Sequence, residues 1–212
     1  MSLEIHILQG FEMAHENGKI AILFNGPPRA GKDTAVNALV DTIVEDFEII
    51  KFTGPVKDLT HRNHGFECAQ DAFEMTKDTP LGVFNGMTPR EAYIATSTKL
   101  KSEKGEDAVA KLFVEAVHNS SASVILNPDV GDDMEALAVA NSLGRENVLV
   151  LRIHKDGHDF SNDCRTWVQS DELTIIDIVN EDGKRREFES EVAARVRGFL
   201  ERVLENRSVY AA

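Results

Sequence analysis

Cysteine is scarce in this sequence: the chain has 212 residues and only two cysteines, Cys68 and Cys164. They are too few for a disulfide framework, and they do not form the Cys-x-x-Cys pair of a redox or zinc motif. The sequence therefore excludes a small secreted domain held together by disulfides. A reducing, cytoplasmic setting is expected instead.

Long apolar runs and an excess of positive charge are also absent. No stretch reaches the roughly 20 apolar residues of a membrane-spanning helix, and the N-terminus lacks a basic region followed by an apolar signal core. The 23 Lys and Arg residues are outnumbered by 36 Asp and Glu, for a formal net charge of −13, which disfavours an extended basic surface for nucleic acid. We expect no membrane and no nucleic acid as partners, and any phosphate ligand must meet a local cationic pocket.

Proline and glycine, at 6 and 14 residues, are too few for a fibrous or disordered chain, and 42% of residues are hydrophobic. A single folded domain spanning residues 1–212 is expected. Short apolar runs typical of buried strands alternate with longer stretches of helical spacing. The predicted strands are 19–25, 47–52, 124–126, 148–153 and 173–179, and the predicted helices are 33–44, 55–63, 88–101, 106–118, 132–143 and 187–204. This alternation predicts an α/β fold with a mainly parallel five-stranded sheet flanked by helices.

One short motif indicates chemistry. Residues 26–32 read Gly-Pro-Pro-Arg-Ala-Gly-Lys, the Gly-x-x-x-x-Gly-Lys pattern of a phosphate-binding loop, and they lie between a predicted strand and a predicted helix. Glycines let the backbone curl around phosphate oxygens, the helix N-terminus adds a positive dipole end, and Lys32 would reach the β and γ phosphates. The strict pattern has Ser or Thr directly after the lysine, whereas here Asp33 intervenes and Thr34 carries the hydroxyl, as in nucleoside monophosphate kinases. The alternative is that the two glycines merely shape a turn.

A second candidate is Asp129, which follows the apolar run 124–126. In an open parallel sheet, ligands bind at the carboxyl ends of the strands, so Asp129 is expected to face the same crevice as the loop at Gly26. There Asp129 would hold a metal ion together with Thr34, or it would contact the molecule that accepts a phosphoryl group. An Asp that caps a turn explains the same spacing.

Phosphoryl transfer also needs cations around the phosphates. Lys57, Arg90 and Arg165 are candidates, because each lies after a predicted strand or opens a segment of the middle region. Exposed Lys and Arg are often only solvated, and that alternative stays open. Asp33 either orients Lys32 or a neighbouring group, or simply complements the helix dipole.

Several histidine, cysteine and tryptophan residues invite functional interpretations that we do not favour. His61, His64 and Cys68 are spaced closely enough for metal ligation, but no fourth ligand is evident, so the histidines are interpreted as ordinary polar residues. Trp167 is expected to be a packing anchor rather than a platform for a base. Neither cysteine has an evident activating base.

Several segments in this order make the chain resemble the deoxynucleoside monophosphate kinases of tailed bacteriophages. They are GPPRAGKDT at 26–34, FTGPVKD at 52–58, TPREAYI at 88–94, NPDVGDDMEA at 127–136, LRIHKDGHDFSNDCR at 151–165 and VNEDG at 179–183. The resemblance covers most of the chain from Lys19 onward. It implies a P-loop kinase core at about 19–56 and 120–212, a helical acceptor-binding lobe at about 57–119 and a lid at about 154–170.

The resemblance implies transfer of the γ-phosphate of ATP, with Mg²⁺, to a deoxynucleoside 5′-monophosphate in the host cytoplasm. By position, the ATP loop would comprise Gly26, Arg29, Ala30, Gly31, Lys32, Asp33 and Thr34. Arg90 would hold the acceptor phosphate, Asp129 and Glu135 would line the acceptor or metal site, and Arg165 would move toward the phosphates on closure. Gly131 and Asp132 stand where some relatives have Arg or aromatic residues, so the resemblance implies no base preference.

Other functions stay open at this point. They are a P-loop kinase for another small acceptor, of the dephospho-coenzyme A or phosphomevalonate type, an ATP-binding module that acts as a switch, and an α/β protein with a decayed site. A homodimer also stays open, as does the role of residues 3–17, because their apolar positions fit neither the spacing of a helix nor the alternation of a strand.

Overall fold

The structure is a computed structural model that describes residues 18–40, 42, 46–161, 163 and 165–210. Residues 209 and 210 are described by their backbone only. The strands are β1 (Ile20–Asn25), β2 (Phe47–Ile49), β3 (Val124–Asn127), β4 (Val148–His154) and β5 (Thr174–Val179). The helices are α1 (Lys32–Val40), α2 (Thr53–Asn63), α3 (Pro89–Lys104), α4 (Ala108–Asn119), α5 (Asp133–Leu143) and α6 (Arg185–Tyr210). The predicted α/β class is confirmed. Residues 3–17, the end of the first predicted helix at 43–44, and Cys164 lie outside the described residues.

The five strands form one sheet in the order β2-β3-β1-β4-β5, and every pair is parallel. β1 is central, and all six of its residues are buried, as its continuous apolar run predicts. Leu23 pairs with Asn127 of β3, and Asn25 pairs with Arg152 of β4. Since parallel strands all end at one edge, the loops after β1, β3 and β4 start side by side there.

The helices cover both faces of this sheet. One face packs on α1 and α6, and alternate β1 residues Ile20, Ile22 and Phe24 belong to that core. The other face packs on α4 and α5 and takes the intervening β1 residues Ala21 and Leu23. α4 falls within the range predicted for the helical lobe, but its Phe113 and Val117 side chains are buried in this second core.

The start of α3 agrees with the sequence prediction, whereas the end of the second strand differs from it. Thr88 and Glu91 form the expected capping box at the start of α3, with Pro89 at the first helical position. The second strand was predicted to extend to Phe52 but ends at Ile49. The difference arises because the chain turns there into α2 and the Phe52 ring stacks on Phe113, with ring centroids 3.9 Å apart.

We call α2, α3 and the segment between them the middle lobe. It has a small core of its own, which we call the aromatic cluster: His61, His64, Phe66, Phe73, Phe84 and Tyr93. Phe84 lies at its centre, in contact with the other five rings, and is fully buried. The short turns 74–76 and 82–84 carry or flank two of its phenylalanines. The lobe is therefore held together by ring packing rather than by a long apolar helix face.

Two interpretations made from the sequence are wrong here. His61 is only 1% exposed, so it is a core residue of the aromatic cluster rather than an ordinary polar one. Its Nε2 lies 3.0 Å from the Tyr93 hydroxyl, and burial lowers its pKa. Its Nδ1 lies 3.4 Å from the Cys68 Sγ, so this cysteine does have a base beside it. Burial nevertheless raises the pKa of the Cys68 thiol, with a further contribution from Asp58.

Within the described ranges, no group of three or more His, Cys, Asp or Glu side chains is arranged to hold a metal ion. In the same part of the chain, no helix has both the length and the apolar character needed to cross a membrane.

Candidate functional site

The loop from Gly26 to Lys32 joins the central strand to α1 through a tight curl. Gly26 passes so close to β4 that a Cβ at this position would lie 2.6 Å from the carbonyl oxygen of Ile153. Arg29 and Gly31 have φ angles of +64° and +109°, in the region that L residues rarely adopt. The spacing of the two glycines thus matches a close approach and a left-handed turn, which a side chain at either position would disturb.

The Lys32 ammonium group folds back across this loop. Its Nζ donates to the carbonyl oxygens of Gly26 at 2.5 Å and Pro27 at 2.8 Å. The pKa of Lys32 is lowered to about 8, chiefly by burial and also by the positive charge of Arg165, while the carboxylates of Asp33, Asp163 and Asp129 act in the opposite direction. At neutral pH the ammonium is mostly protonated and lies in the electrostatic field of three other predicted site residues, Asp33, Asp129 and Arg165.

Asp129 follows β3 and is tied to the start of α2. Its Oδ1 accepts hydrogen bonds from the Phe52 N–H at 2.8 Å and from Asn127 Nδ2 at 3.0 Å. Its Oδ2 accepts from the Thr53 hydroxyl at 3.2 Å. These contacts give Asp129 a structural role at the junction of 50–53, in agreement with the turn-capping alternative. Each carboxylate oxygen can accept more than one partner, so this role does not prevent contact with a ligand.

Arg165 and Glu135 approach each other at Gly131. Arg165 pairs with Asp163, to which its Nε donates at 3.0 Å and its Nη2 at 2.5 Å. A Cβ on Gly131 would lie 3.0 Å from Arg165 Cγ and 3.1 Å from Glu135 Oε2, so glycine allows both side chains to converge here. The Thr166 N–H donates to the Gly131 carbonyl at 2.8 Å, which fixes this convergence in the backbone.

The Glu135 carboxyl group titrates near neutral pH. Burial raises its pKa to about 7, and the carboxylates of Asp132 and Asp129 act in the same direction. The hydrogen bond from the Gly131 N–H, at 2.7 Å, and the charge of Lys101 oppose this rise. A half-buried carboxyl of this kind can either donate or accept a hydrogen bond close to physiological pH.

Three asparagines at the ends of strands were missed by the sequence analysis. Asn25, at the end of β1, is fully buried, and its Nδ2 donates to the carbonyls of Val130 and Thr166, both at 3.0 Å. Its Oδ1 accepts the Val168 N–H at 3.1 Å. The side chain of Asn25 thus joins the loop after Asp129 to the segment after Arg165.

The other two asparagines brace the neighbouring loops. Asn127 ends β3, and its Nδ2 donates to the Ile50 carbonyl at 2.8 Å. Asn180 directly follows β5, and its Nδ2 donates to the Ala30 carbonyl at 2.8 Å. A signal was present in the sequence, since each of these residues ends an apolar run with an uncharged amide, which can bond backbone groups without carrying a charge into the interior.

The remaining predicted site residues have separate surroundings. In the first turn of α1, Asp33 is exposed and Thr34 is half-buried. Arg90 forms an ion pair with Asp78, with Nε and Oδ1 2.7 Å apart. Lys57 lies 3.6 Å from a Glu74 carboxylate oxygen and 5.5 Å from the centre of the Tyr93 ring. The structure thus places Lys32 within electrostatic range of Asp129 and Arg165, and it leaves Arg90 and Lys57 paired with carboxylates of the lobe.

The segment that carries Arg165 is packed against β4 by aromatic residues. The Trp167 ring stacks on His154, with centroids 4.3 Å apart and planes 22° apart, and Phe160 meets the indole edge-on at 5.1 Å. His154 Nε2 also contacts Asp177 at 2.5 Å. Trp167 is therefore a packing residue, as its sequence context predicts.

Comparison with known proteins adds no family to this description: no protein-family model matches the chain, and no curated protein matches it either.

Proposed function

We propose that the protein is an ATP-dependent kinase of the P-loop type that phosphorylates a deoxynucleoside 5′-monophosphate. The observation that carries the proposal is the Gly26–Lys32 loop at the carboxyl edge of a parallel sheet, whose ammonium group lies in the electrostatic field of Asp129 and Arg165. A glycine-lysine loop between a buried strand and a helix is the setting in which such loops bind phosphates. The motif order along the chain supports the choice of acceptor.

The start of α1 supplies donors for the phosphates. The Ala35 N–H donates to the Gly31 carbonyl at 2.9 Å and is the first such bond of the helix. The N–H groups of Lys32, Asp33 and Thr34 precede it, and helix geometry offers them no acceptor in the preceding turn. On binding, Lys32 would exchange the two carbonyl oxygens it now contacts for phosphate oxygens, while the helix dipole favours the negative charge.

Oxygen donors near the loop fit the requirements of Mg²⁺. The Thr34 hydroxyl and the Asp129 carboxylate are hard ligands, and Mg²⁺ is commonly held by one or two such groups, with water and phosphate oxygens completing its shell. Bound with ATP, Mg²⁺ would neutralise charge on the phosphates. Asp129 already accepts three hydrogen bonds, so it is held in one orientation before any ligand arrives.

The transfer step then asks little covalent work of the protein. The oxygen that attacks belongs to the acceptor phosphate and is already ionised, so alignment and charge neutralisation supply most of the catalysis. Arg165 would neutralise the transferring group after leaving Asp163. Arg90 and Lys57 would receive the acceptor phosphate in place of their present carboxylate partners.

The test is ADP formation from ATP and Mg²⁺ by the purified protein. Parallel reactions would contain each deoxynucleoside monophosphate, each ribonucleotide counterpart, dephospho-coenzyme A, phosphomevalonate or no acceptor. Release that depends on a deoxynucleotide would support the proposal and identify the base preference. ADP release only with another acceptor would indicate a different P-loop kinase. Equal ADP release in every reaction would indicate an ATPase, and ATP binding without ADP release would indicate a switch module.

A further inference from the structure

We propose that Asn180 is a positioning residue that sets the conformation of the phosphate loop, an inference that rests on the proposed function. Asn180 belongs to neither the loop nor the helix that follows it. It comes directly after β5, and its side chain contacts the loop from a strand two positions away from β1 in the sheet.

The sheet anchors Asn180 before its side chain reaches the loop. β4 and β5 pair in register up to His154 and Val179, and the Asn180 N–H then donates to the His154 carbonyl at 2.8 Å. This bond extends the parallel ladder by one residue. The Asn180 side chain therefore starts from a rigid position rather than from a free loop.

Two contacts connect this side chain to the loop. Asn180 Nδ2 donates to the Ala30 carbonyl at 2.8 Å. The next residue, Gly31, lies so close that a Cβ added there would overlap Asn180 Nδ2, and the Phe188 ring would lie 3.8 Å from it. The left-handed glycine is thus seated directly against the Asn180 amide.

The peptide between Ala30 and Gly31 explains why this contact matters. In a planar trans peptide the carbonyl and the following N–H point in opposite directions. Because Asn180 holds the Ala30 carbonyl on its own side, the Gly31 N–H must point away from Asn180. Loss of the amide would let this peptide rotate, and the loop would then present a carbonyl oxygen where a phosphate needs a donor.

The first experiment compares phosphate binding by three variants of the full chain. Asn180→Ala removes the amide, and Asn180→Asp places a carboxylate against the Ala30 carbonyl. Asn147→Ala is the matched control, because Asn147 Nδ2 donates to a backbone carbonyl at 2.7 Å, that of Leu143, just before β4 begins and hence at the opposite end of the sheet. Calorimetry would measure the affinity for inorganic tripolyphosphate and for ATP, and steady-state kinetics the KM of each substrate.

We expect Asn180→Ala to weaken binding of tripolyphosphate and of ATP about tenfold, the loss of roughly one well-placed hydrogen bond. Asn180→Asp should weaken both further, the KM of the acceptor should stay within about twofold, and Asn147→Ala should leave both affinities unchanged. If the wild type binds both ligands and Asn180→Ala binds them with the same affinity, the inference is overturned while the proposed function stands. The same holds if Asn147→Ala loses as much affinity as Asn180→Ala. Wild-type protein that binds neither ligand would overturn the proposed function as well.

A double-mutant cycle tests the contact without any ligand. Gly31→Ala should lower the melting temperature through its positive φ and through overlap with Asn180. In the Asn180→Ala background the overlap is absent, so the same substitution should lower the melting temperature by less. Strictly additive shifts would contradict the contact on which the inference depends.

Discussion

The carboxyl edge of the sheet and the middle lobe hold their candidate residues in different ways. At the sheet edge, polar side chains connect the loops: the buried Asn25 amide bonds three backbone groups, and the half-buried Asp129 carboxylate accepts three hydrogen bonds. In the lobe, Arg90 pairs with Asp78 across exposed side chains. One region keeps its geometry through buried hydrogen bonds, while the other keeps its charges balanced at the surface.

This difference teaches which groups are ready for a ligand and which must change partners. Exposed ion pairs contribute about 0–1 kcal/mol, so Arg90 can leave Asp78 at little cost. Breaking a hydrogen bond of a buried amide costs about 1–3 kcal/mol because a polar group is left unsatisfied. We therefore expect the backbone of the sheet edge to be preorganised for phosphate, with only the Lys32 and Arg165 side chains changing partners there, and the lobe to adjust when an acceptor arrives.

The largest effect is expected for Lys32→Ala. Removal of the ammonium should reduce phosphoryl transfer by about 10³-fold or more, roughly 4 kcal/mol of transition-state stabilisation, because a charge beside the phosphates is lost. The measurement is kcat/KM with the best acceptor. Lys19→Ala is the matched control, since the Lys19 Nζ also donates to two backbone carbonyls, of Ser120 and Ala122, both at 2.7 Å. Turnover near that of the wild type by Lys32→Ala would contradict the proposed function.

Phe84→Ala separates the stability of the lobe from that of the sheet. The ring is fully buried among five others, so its removal should lower the free energy of unfolding by about 3 kcal/mol. We expect the affinity for ATP to change less than about twofold, because the Gly26–Lys32 loop belongs to the other region. Denaturant unfolding and ATP titration check both expectations, with Val83→Ala, at an exposed neighbour, as the control. A parallel loss of ATP affinity would show that the two regions are energetically one.

Glu135→Gln should change how stability depends on pH. The pKa of Glu135 is raised from 4.5 to about 7 in the folded state, so its protonated form stabilises the fold. That contribution is fully present below pH 4.5 and is lost as pH rises through about 7. Glutamine stays neutral, so the variant should be more stable than the wild type at pH 8 by about 3 kcal/mol and should lose the slope between these values.

The check for Glu135 is chemical denaturation at several pH values. Glu115→Gln, at an exposed position on α4, controls for the loss of one negative charge. Identical pH profiles for the wild type and Glu135→Gln would contradict the raised pKa and the burial that causes it.

The smallest effects are expected at the exposed Arg90–Asp78 pair. Arg90→Ala should change stability by less than about 1 kcal/mol and raise the KM of the acceptor about tenfold. Asp78→Asn should lower that KM a few-fold, because the carboxylate no longer competes with the acceptor phosphate for the guanidinium group. Initial rates at varied acceptor concentration measure both. An unchanged KM in both variants would remove Arg90 from the acceptor site.

Much of the fold could be predicted because its signals are local. The apolar run of β1, the capping box at Thr88 and the helical spacing of α5 each lie within a few turns of chain. The burial of His61 could not be predicted this way. A histidine in a sequence does not reveal whether it lies at the surface or in the core. The partners of His61, namely Phe66, Phe73 and Phe84, are brought around it by irregular turns without periodicity.

The same difference between local signals and contacts of distant residues applies to the candidate site. The parallel α/β class and the loop that carries Lys32 follow from local sequence, because strand burial, glycine placement and helix starts depend on neighbouring residues. The folded chain alone reveals that Asn180 braces this loop and that Asn25 joins segments up to 143 positions away along the chain. Such hydrogen bonds depend on which strands are adjacent, and strand order is set by packing of the whole sheet rather than by any local pattern.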